Sequence, residues 1–169
     1  CFIVEKGWDG FEIGKPENKL GIRASDTCEL YFDNVPVPAD NLIGKEGEGF
    51  KIALATLDGG RIGIASQALG IAQASLDASI TYSKDRVQFG KPISSNQAIQ
   101  YKIADMAMEL ESARLLTRKA AWMKDQKQNF GQIASMAKVY ASEVAMRAST
   151  QCVQIHGGYG YMRESGIER

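Results

Sequence analysis

Between Gly49 and Arg169 the sequence holds a single proline, Pro92. A proline inside a helix removes a backbone hydrogen bond and clashes with the preceding turn, costing about 3 kcal/mol or more. A long stretch almost free of it, and rich in Ala, Leu, Met, Glu and Lys, is suited to long helices. The text before it is the opposite. Gly7, Gly10, Gly14, Pro16, Gly21, Pro36 and Pro38 cut it into short runs, of which Cys1–Val4 and Cys28–Phe32 have strand composition. The change of character falls within residues 40–49 and divides the chain into 1–45 and 46–169.

Three long helices are expected in the second segment. The first runs from about Phe50 to about Phe89, with a break or bend at Gly59-Gly60, where each glycine costs about 1 kcal/mol relative to alanine. The second runs from about Ser95 to Asp125, and Ile99, Ile103, Met106, Leu110 and Ala113 form its buried stripe. The third runs from about Gly131 to Ile155, with Ile133, Met136, Tyr140, Val144, Ala148 and Ile155 on one face and Gly157-Gly158 as its stop. A helical bundle follows, so the fold class is mainly α, or α+β overall with the opening strands included. Gly63, Ser66, Gly70 and Ala74 make a small-residue line on the first helix. Core packing within the chain is preferred for it over an oligomer contact. The opening strands are too few to bury a core of their own, and the chain does not start with Met, so partner strands are expected upstream and the sequence is expected to begin in mid-fold.

Twenty basic residues balance twenty acidic ones, so no net field favours nucleic acid or a membrane surface, and any polyanion has to be held locally. No apolar run reaches the roughly 18 residues of a membrane span. Cys1, Cys28 and Cys152 are odd in number, widely spaced and without a metal-ligand pattern, which fits reduced thiols and no structural metal.

Three clusters stand apart from ordinary helix text. In Leu57-Asp58-Gly59-Gly60-Arg61 a carboxylate and a guanidinium share a helix face and flank glycines that let a ligand near the backbone; an exposed ion pair accounts for it equally well. Asp85 to Ile93 combines Arg86, Phe89, Gly90 and Lys91 where a helix ends. An arginine can bind phosphate bidentately and a ring can lie against a nucleobase, although a helix cap explains this segment better when it is taken alone. Gln154-Ile155-His156-Gly157-Gly158-Tyr159-Gly160-Tyr161 has three glycines where a helix stop needs one, which favours a backbone nest for an anion such as pyrophosphate. His156, the single histidine, has no nucleophile motif beside it and reads as a packing residue.

These clusters, in this order, resemble the acyl-CoA dehydrogenase family over essentially the whole chain. The opening Phe2-Ile3-Val4-Glu5-Lys6-Gly7, the run Lys19 to Thr27, and Val35-Pro36-Val37-Pro38 look like the exit of that family's middle β-domain. Gly47-Glu48-Gly49-Phe50 leads into its C-terminal helical domain, and Leu57 to Ala65 looks like the short-chain, butyryl-CoA branch. The resemblance implies a β-domain remnant over 1–45 and an incomplete helical bundle over 46–169. It implies an FAD-dependent enzyme that dehydrogenates a short- or medium-chain acyl-CoA to the trans-2-enoyl-CoA, in the bacterial cytoplasm or the mitochondrial matrix. The expected assembly is a homotetramer sharing FAD across a subunit interface, with an electron-transferring flavoprotein as acceptor. By position, Asp58, Gly59, Gly60 and Arg61 would line the acyl-CoA site. Arg86, Phe89 and Gln97, with Gln154, Ile155, His156, Gly157 and Gly158, would bind FAD.

The resemblance also implies removal of an α-proton by a carboxylate while the β-hydrogen leaves as hydride to the flavin. The family's usual base, a glutamate, is expected beyond Arg169; the position used by a minority branch is occupied here by Gly60, and Glu168 is expected to start a helix instead. The 169 residues alone are therefore expected to be inactive. Two alternatives share the same text: an oxidase-like relative, and an inactive helical association module.

Overall fold

A computed structural model describes residues 1–168 of the chain. The chain forms two compact units, Cys1–Leu54 and Ala55 onward.

In the first unit a short antiparallel pair joins β1 (Phe11–Ile13) to β2 (Leu30–Phe32), with Phe11 opposite Phe32. Their rings stack with centroids 4.9 Å apart, the cross-strand aromatic pair that fixes this register. Phe2 forms only an isolated bridge to Leu42, so the expected opening strand is reduced to a single pairing, while Phe11–Ile13 is a strand that composition did not reveal. No residue of this unit is buried, and Phe2, Leu20, Leu30 and Phe32 all stand more than half exposed. Two three-residue strands have too little apolar area to enclose a core.

The second unit contains the bundle, built from α1 (Gly49–Asp85, which begins in the first unit), α2 (Gln97–Asp125) and α3 (Gly131–His156). The helix α1 runs unbroken through Gly59-Gly60, correcting the expected break: two poor helix formers in 37 residues are outweighed by the cooperative run of helix on either side of them. It ends four residues early because Arg86–Ile93 turns into a hairpin, β3 (Val87–Gln88) against β4 (Lys91–Pro92), with Gln88 opposite Lys91. Phe89 and Gly90 form its two-residue loop with φ of 52° and 79°, the type I′ geometry whose twist matches a hairpin.

The core is mostly alanine. Ala65, Ala72, Ala113, Ala120, Ala134, Ala137 and Ala141 are all but inaccessible, and Val144 and Cys152 are among the largest side chains buried to that degree. Small residues at the contact let helix backbones approach and make dispersion contacts along their length. Met106, Leu110 and Ala113 are buried on α2 as their spacing predicts, and Val144, Ala148 and Ile155 on α3, whereas Met136 lies 48% exposed because Ala134 and Ala137 take the facing positions. Ser79, Ser83 and Thr117 are buried too, each donating its hydroxyl to a carbonyl of its own helix. The line Gly63, Ser66, Gly70 and Ala74 is exposed, not in the core. Large apolar residues including Ile64, Ile71, Leu115, Trp122, Val139 and Met146 also face outward, so all three helices are apolar on more than one side.

Candidate functional site

The candidate residues fall at two ends of one bundle. Arg61 and Arg86 are separated along α1 by about 37 Å at the helical rise of 1.5 Å per residue. A small ligand cannot bridge them within one chain.

At the first end Asp58 and Arg61, three residues apart on α1, form an ion pair, and both side chains stay partly open to solvent. The Asp58 carboxylate also lies against Gly131, the first residue of α3: a Cβ built there would stand 3.0 Å from Asp58 Oδ2. Negative charge is favoured at a helix N-terminus, where backbone N–H groups lack partners. The Asn129 side chain accepts from the Gly131 N–H at 3.4 Å. Lys124, from the last turn of α2, reaches over Gly59, with its Nζ 3.2 Å from where a Cβ there would stand. Gly60 has open space where a Cβ would stand. The cluster is thus a carboxylate held between a helix end and a guanidinium, with a second cation over the adjacent glycine.

At the other end the second and third sequence clusters meet. A cavity of about 590 Å³ is lined by Tyr82, Arg86, Gln88 and Ile93 on one side and by Ile155, His156, Gly157, Gly158, Tyr159 and Met162 on the other. Arg86 follows α1 directly, its N–H bonded to Tyr82 O at 2.8 Å and its carbonyl accepting from Ile93 N–H at 2.9 Å. Its guanidinium carbon lies 5.2 Å from the centroid of the Tyr159 ring, a cation–π arrangement. His156 stacks on Tyr82 with centroids 4.2 Å apart. Nδ1 of His156 is 2.8 Å from the Cys152 carbonyl oxygen, which can only accept, so the proton is assigned to Nδ1.

The three glycines serve three ends. Gly157 takes φ +58° and closes α3, its N–H bonded to Gln154 O. Gly160 lies in the 3-10 helix Gly157–Tyr161, so close to α3 that a Cβ would stand 2.6 Å from Val153 O. Gly158 lines the cavity, and a Cβ there would meet no atom within 4 Å. Arg86, Ile155, His156, Gly157 and Gly158 therefore share one cavity. Gln154 is exposed on α3 and lies outside the lining. Phe89 stands 99% exposed at the hairpin tip, and Gln97 is exposed on the first turn of α2, donating to Tyr101 OH at 2.6 Å. Tyr82, Met162 and Lys124 carried no expectation, and Ile93 only as the end of the second cluster. Tyr82 is one helical turn before Arg86, a spacing that could have singled it out, but the approach of Lys124 to Gly59 depends on how α2 packs on α1.

The cavity suits a phosphate-bearing ligand: a guanidinium at its rim, an uncluttered glycine in its wall and aromatic faces beside them. Among the described residues no group of three or more His, Cys, Asp or Glu could hold a metal, and no helix is long and apolar enough to cross a membrane.

A family model for the acyl-CoA dehydrogenase C-terminal domain matches residues 47–169. An acyl-CoA dehydrogenase of Bacillus subtilis is 55% identical over 169 residues, all of this chain and 45% of the relative. The mitochondrial short-chain specific acyl-CoA dehydrogenase of Bos taurus is also 55% identical over the whole chain, which covers 41% of that protein. The solved butyryl-CoA dehydrogenase of Megasphaera elsdenii superposes with a TM-score of 0.96 at 55% identity, over 99% of this chain and 44% of that one. The chain thus spans less than half the length of these relatives.

Proposed function

The chain belongs to the acyl-CoA dehydrogenase family, and from that premise we propose that it works as part of an FAD-dependent enzyme converting a short- or medium-chain acyl-CoA to the trans-2-enoyl-CoA. The observation that carries this is the meeting of Arg86 with Gly157 and Gly158 around one cavity, at the opposite end of α1 from the Asp58–Arg61 pair. Two sites this far apart on one helix suit an assembly in which one end serves acyl-CoA and the other serves the cofactor of a second subunit.

Arg86, Ile155, His156, Gly157 and Gly158 would hold the pyrophosphate region of FAD, with Phe89 and Gln97 reaching the same cofactor from the hairpin tip and the start of α2. FAD, when bound, supplies the acceptor for the hydride that leaves the β-carbon. Arg61 and Asp58, with Gly59 and Gly60, would meet polar parts of the CoA arm and so hold the thioester in line, which lowers the barrier by fixing orientation before reaction. The carboxylate that takes the α-proton is proposed to lie beyond Arg169.

The outward apolar faces of α1, α2 and α3 support a homo-oligomer, proposed as a tetramer, in which residues 1–45 close a β-domain and 46–169 form the helical domain. An electron-transferring flavoprotein as acceptor, and a bacterial cytoplasmic or mitochondrial matrix location, belong to the same proposal. The oxidase-like and association-module alternatives are not favoured beside dehydrogenases at 55% identity.

The test is anaerobic titration of the full-length, flavin-loaded protein with butyryl-CoA and octanoyl-CoA. Bleaching of the flavin absorbance by either is expected. Bleaching by neither would refute the assignment.

A further inference from the structure

We propose that Tyr159 is a positioning residue for Arg86, holding the guanidinium at the cavity rim with its N–H edge free for a phosphate oxygen; this rests on the reading of that cavity as part of the flavin site. Among the described residues the ion pairs of arginine involve Arg61, Arg114 and Arg147, while the side chain of Arg86 has the Tyr159 ring as its partner. A planar guanidinium interacts with a ring through its face and with a phosphate through its edge, so one does not exclude the other. A stacked guanidinium has fewer rotamers to lose when the anion arrives, and that saving appears as affinity.

The platform is itself fixed. Tyr159 lies within the 3-10 helix Gly157–Tyr161, whose next residue, Gly160, is wedged against the Val153 carbonyl, and the Tyr159 carbonyl accepts from Met162 N–H at 3.2 Å. One turn back along α1 the Tyr82–His156 stack makes a second tie, from α1 to the last residue of α3, with the imidazole pinned by the Cys152 carbonyl. Two aromatic contacts in series thus set where Arg86 leaves α1 and where its charge rests. The ring is 55% exposed, so the contact belongs to the weaker, solvated class of cation–π pairs.

The experiment is FAD rebinding to flavin-stripped full-length protein, read as quenching of flavin fluorescence, for Tyr159→Leu, Tyr159→Phe, Arg86→Gln and the double variant Arg86→Gln/Tyr159→Leu. Tyr159→Leu is expected to raise Kd about 2- to 5-fold. Tyr159→Phe is expected to stay near wild type, because the π face remains. In the Arg86→Gln background Tyr159→Leu is expected to add nothing, a coupling that a merely structural role would not produce. Should Tyr159→Leu prove unstable, Tyr159→Met, which keeps bulk without a π face, takes its place in the cycle. An equal loss in both backgrounds, or no loss from Tyr159→Leu while Arg86→Gln weakens binding, overturns the positioning role and leaves the flavin reading standing. An Arg86→Gln variant that binds FAD like wild type overturns both.

Discussion

The carboxylate of Asp58 lies against Gly131 at the start of α3, so that a side chain added at Gly131 would stand 3.0 Å from Asp58 Oδ2. One carboxylate therefore serves two partners, the α3 N-terminus and the Arg61 guanidinium. Both are partly solvated, which limits what each contributes. Asp58→Asn keeps the shape and removes the charge. It is expected to destabilise the full-length protein by about 0.5–1 kcal/mol, lowering Tm by about 1–3 °C. In 1 M salt, where the screening length is about 3 Å, the difference from wild type should shrink, and a salt-independent loss would point to packing instead.

The separation of the two clusters along α1 gives a prediction about independence. Arg61→Ala should raise the Michaelis constant or slow flavin reduction by acyl-CoA while leaving flavin content intact. Arg86→Ala should reduce flavin retention and weaken subunit association together. Sites about 37 Å apart share no partners, so the double variant should show the two defects added within about 0.5 kcal/mol. Flavin loss from Arg61→Ala, measured by the absorbance ratio of purified protein, would contradict the division of roles.

Two neighbouring glycines are expected to behave oppositely. At Gly160 a Cβ would stand 2.6 Å from Val153 O, 3.0 Å from Val153 Cα and 3.1 Å from His156 Cβ, mostly backbone that cannot step aside. Gly160→Ala should destabilise by about 1–3 kcal/mol and displace Tyr159 and Gly158 from the cavity. At Gly158 a Cβ has open space. Gly158→Ala should leave Tm unchanged but lower flavin affinity if a ligand approaches the backbone there. Thermal denaturation and flavin titration of the two variants separate these effects.

The helices were legible because their signal is local and repeated. Met106, Leu110 and Ala113 recur at helical spacing and are all buried, and Gly157 closes α3 as a glycine at φ +58° should. The hairpin at Val87–Pro92 was not legible as a hairpin: its strands are two residues each, and its loop carries Phe where Asn or Asp is usual. Periodicity places Met136 in the core because it gives a helix its apolar stripe but not the width of that stripe, and on α3 alanines form the centre of the contact. The pairing of Arg86 with Tyr159 across the sequence is tertiary, set by how α1 and α3 end beside one another, and no spacing rule contains it. The Asp58–Arg61 pair is legible from three-residue spacing, while its approach to Gly131 depends on the turn between α2 and α3.

Cys152 is buried in the bundle, and that burial pushes its thiol pKa up. It should resist thiol reagents in the folded protein at pH 8, while exposed Cys1 reacts. A thiol that holds its proton more tightly when folded contributes stability that is complete below the unfolded pKa of about 8.5 and is lost as pH rises through the higher folded value. Replacing it with alanine should therefore flatten the alkaline limb of a stability–pH curve. Labelling of Cys152 at the rate of a free thiol, followed by mass spectrometry, would show that the site opens.

Phe89 is 99% exposed and holds φ +52°, a left-handed conformation that a bulky side chain adopts at some expense. Neither burial nor backbone preference explains an aromatic ring there. Asparagine tolerates this conformation, and Asn-Gly is the preferred pair for a two-residue type I′ loop. Phe89→Asn should therefore stabilise the hairpin by up to about 1 kcal/mol, because it relieves backbone strain and gives up no buried contact within the chain. If the ring instead belongs against the cofactor held with a second subunit, the same substitution should lower flavin retention and shift the assembly toward smaller species. The two effects have opposite signs and separate readouts: Tm for the flavin-free protein, and flavin content with sedimentation for the loaded one. A variant with higher Tm and unchanged flavin content and assembly would show that the hairpin tip meets neither cofactor nor partner. A variant more stable when stripped and weaker when loaded would identify the strained phenylalanine as a residue kept for binding.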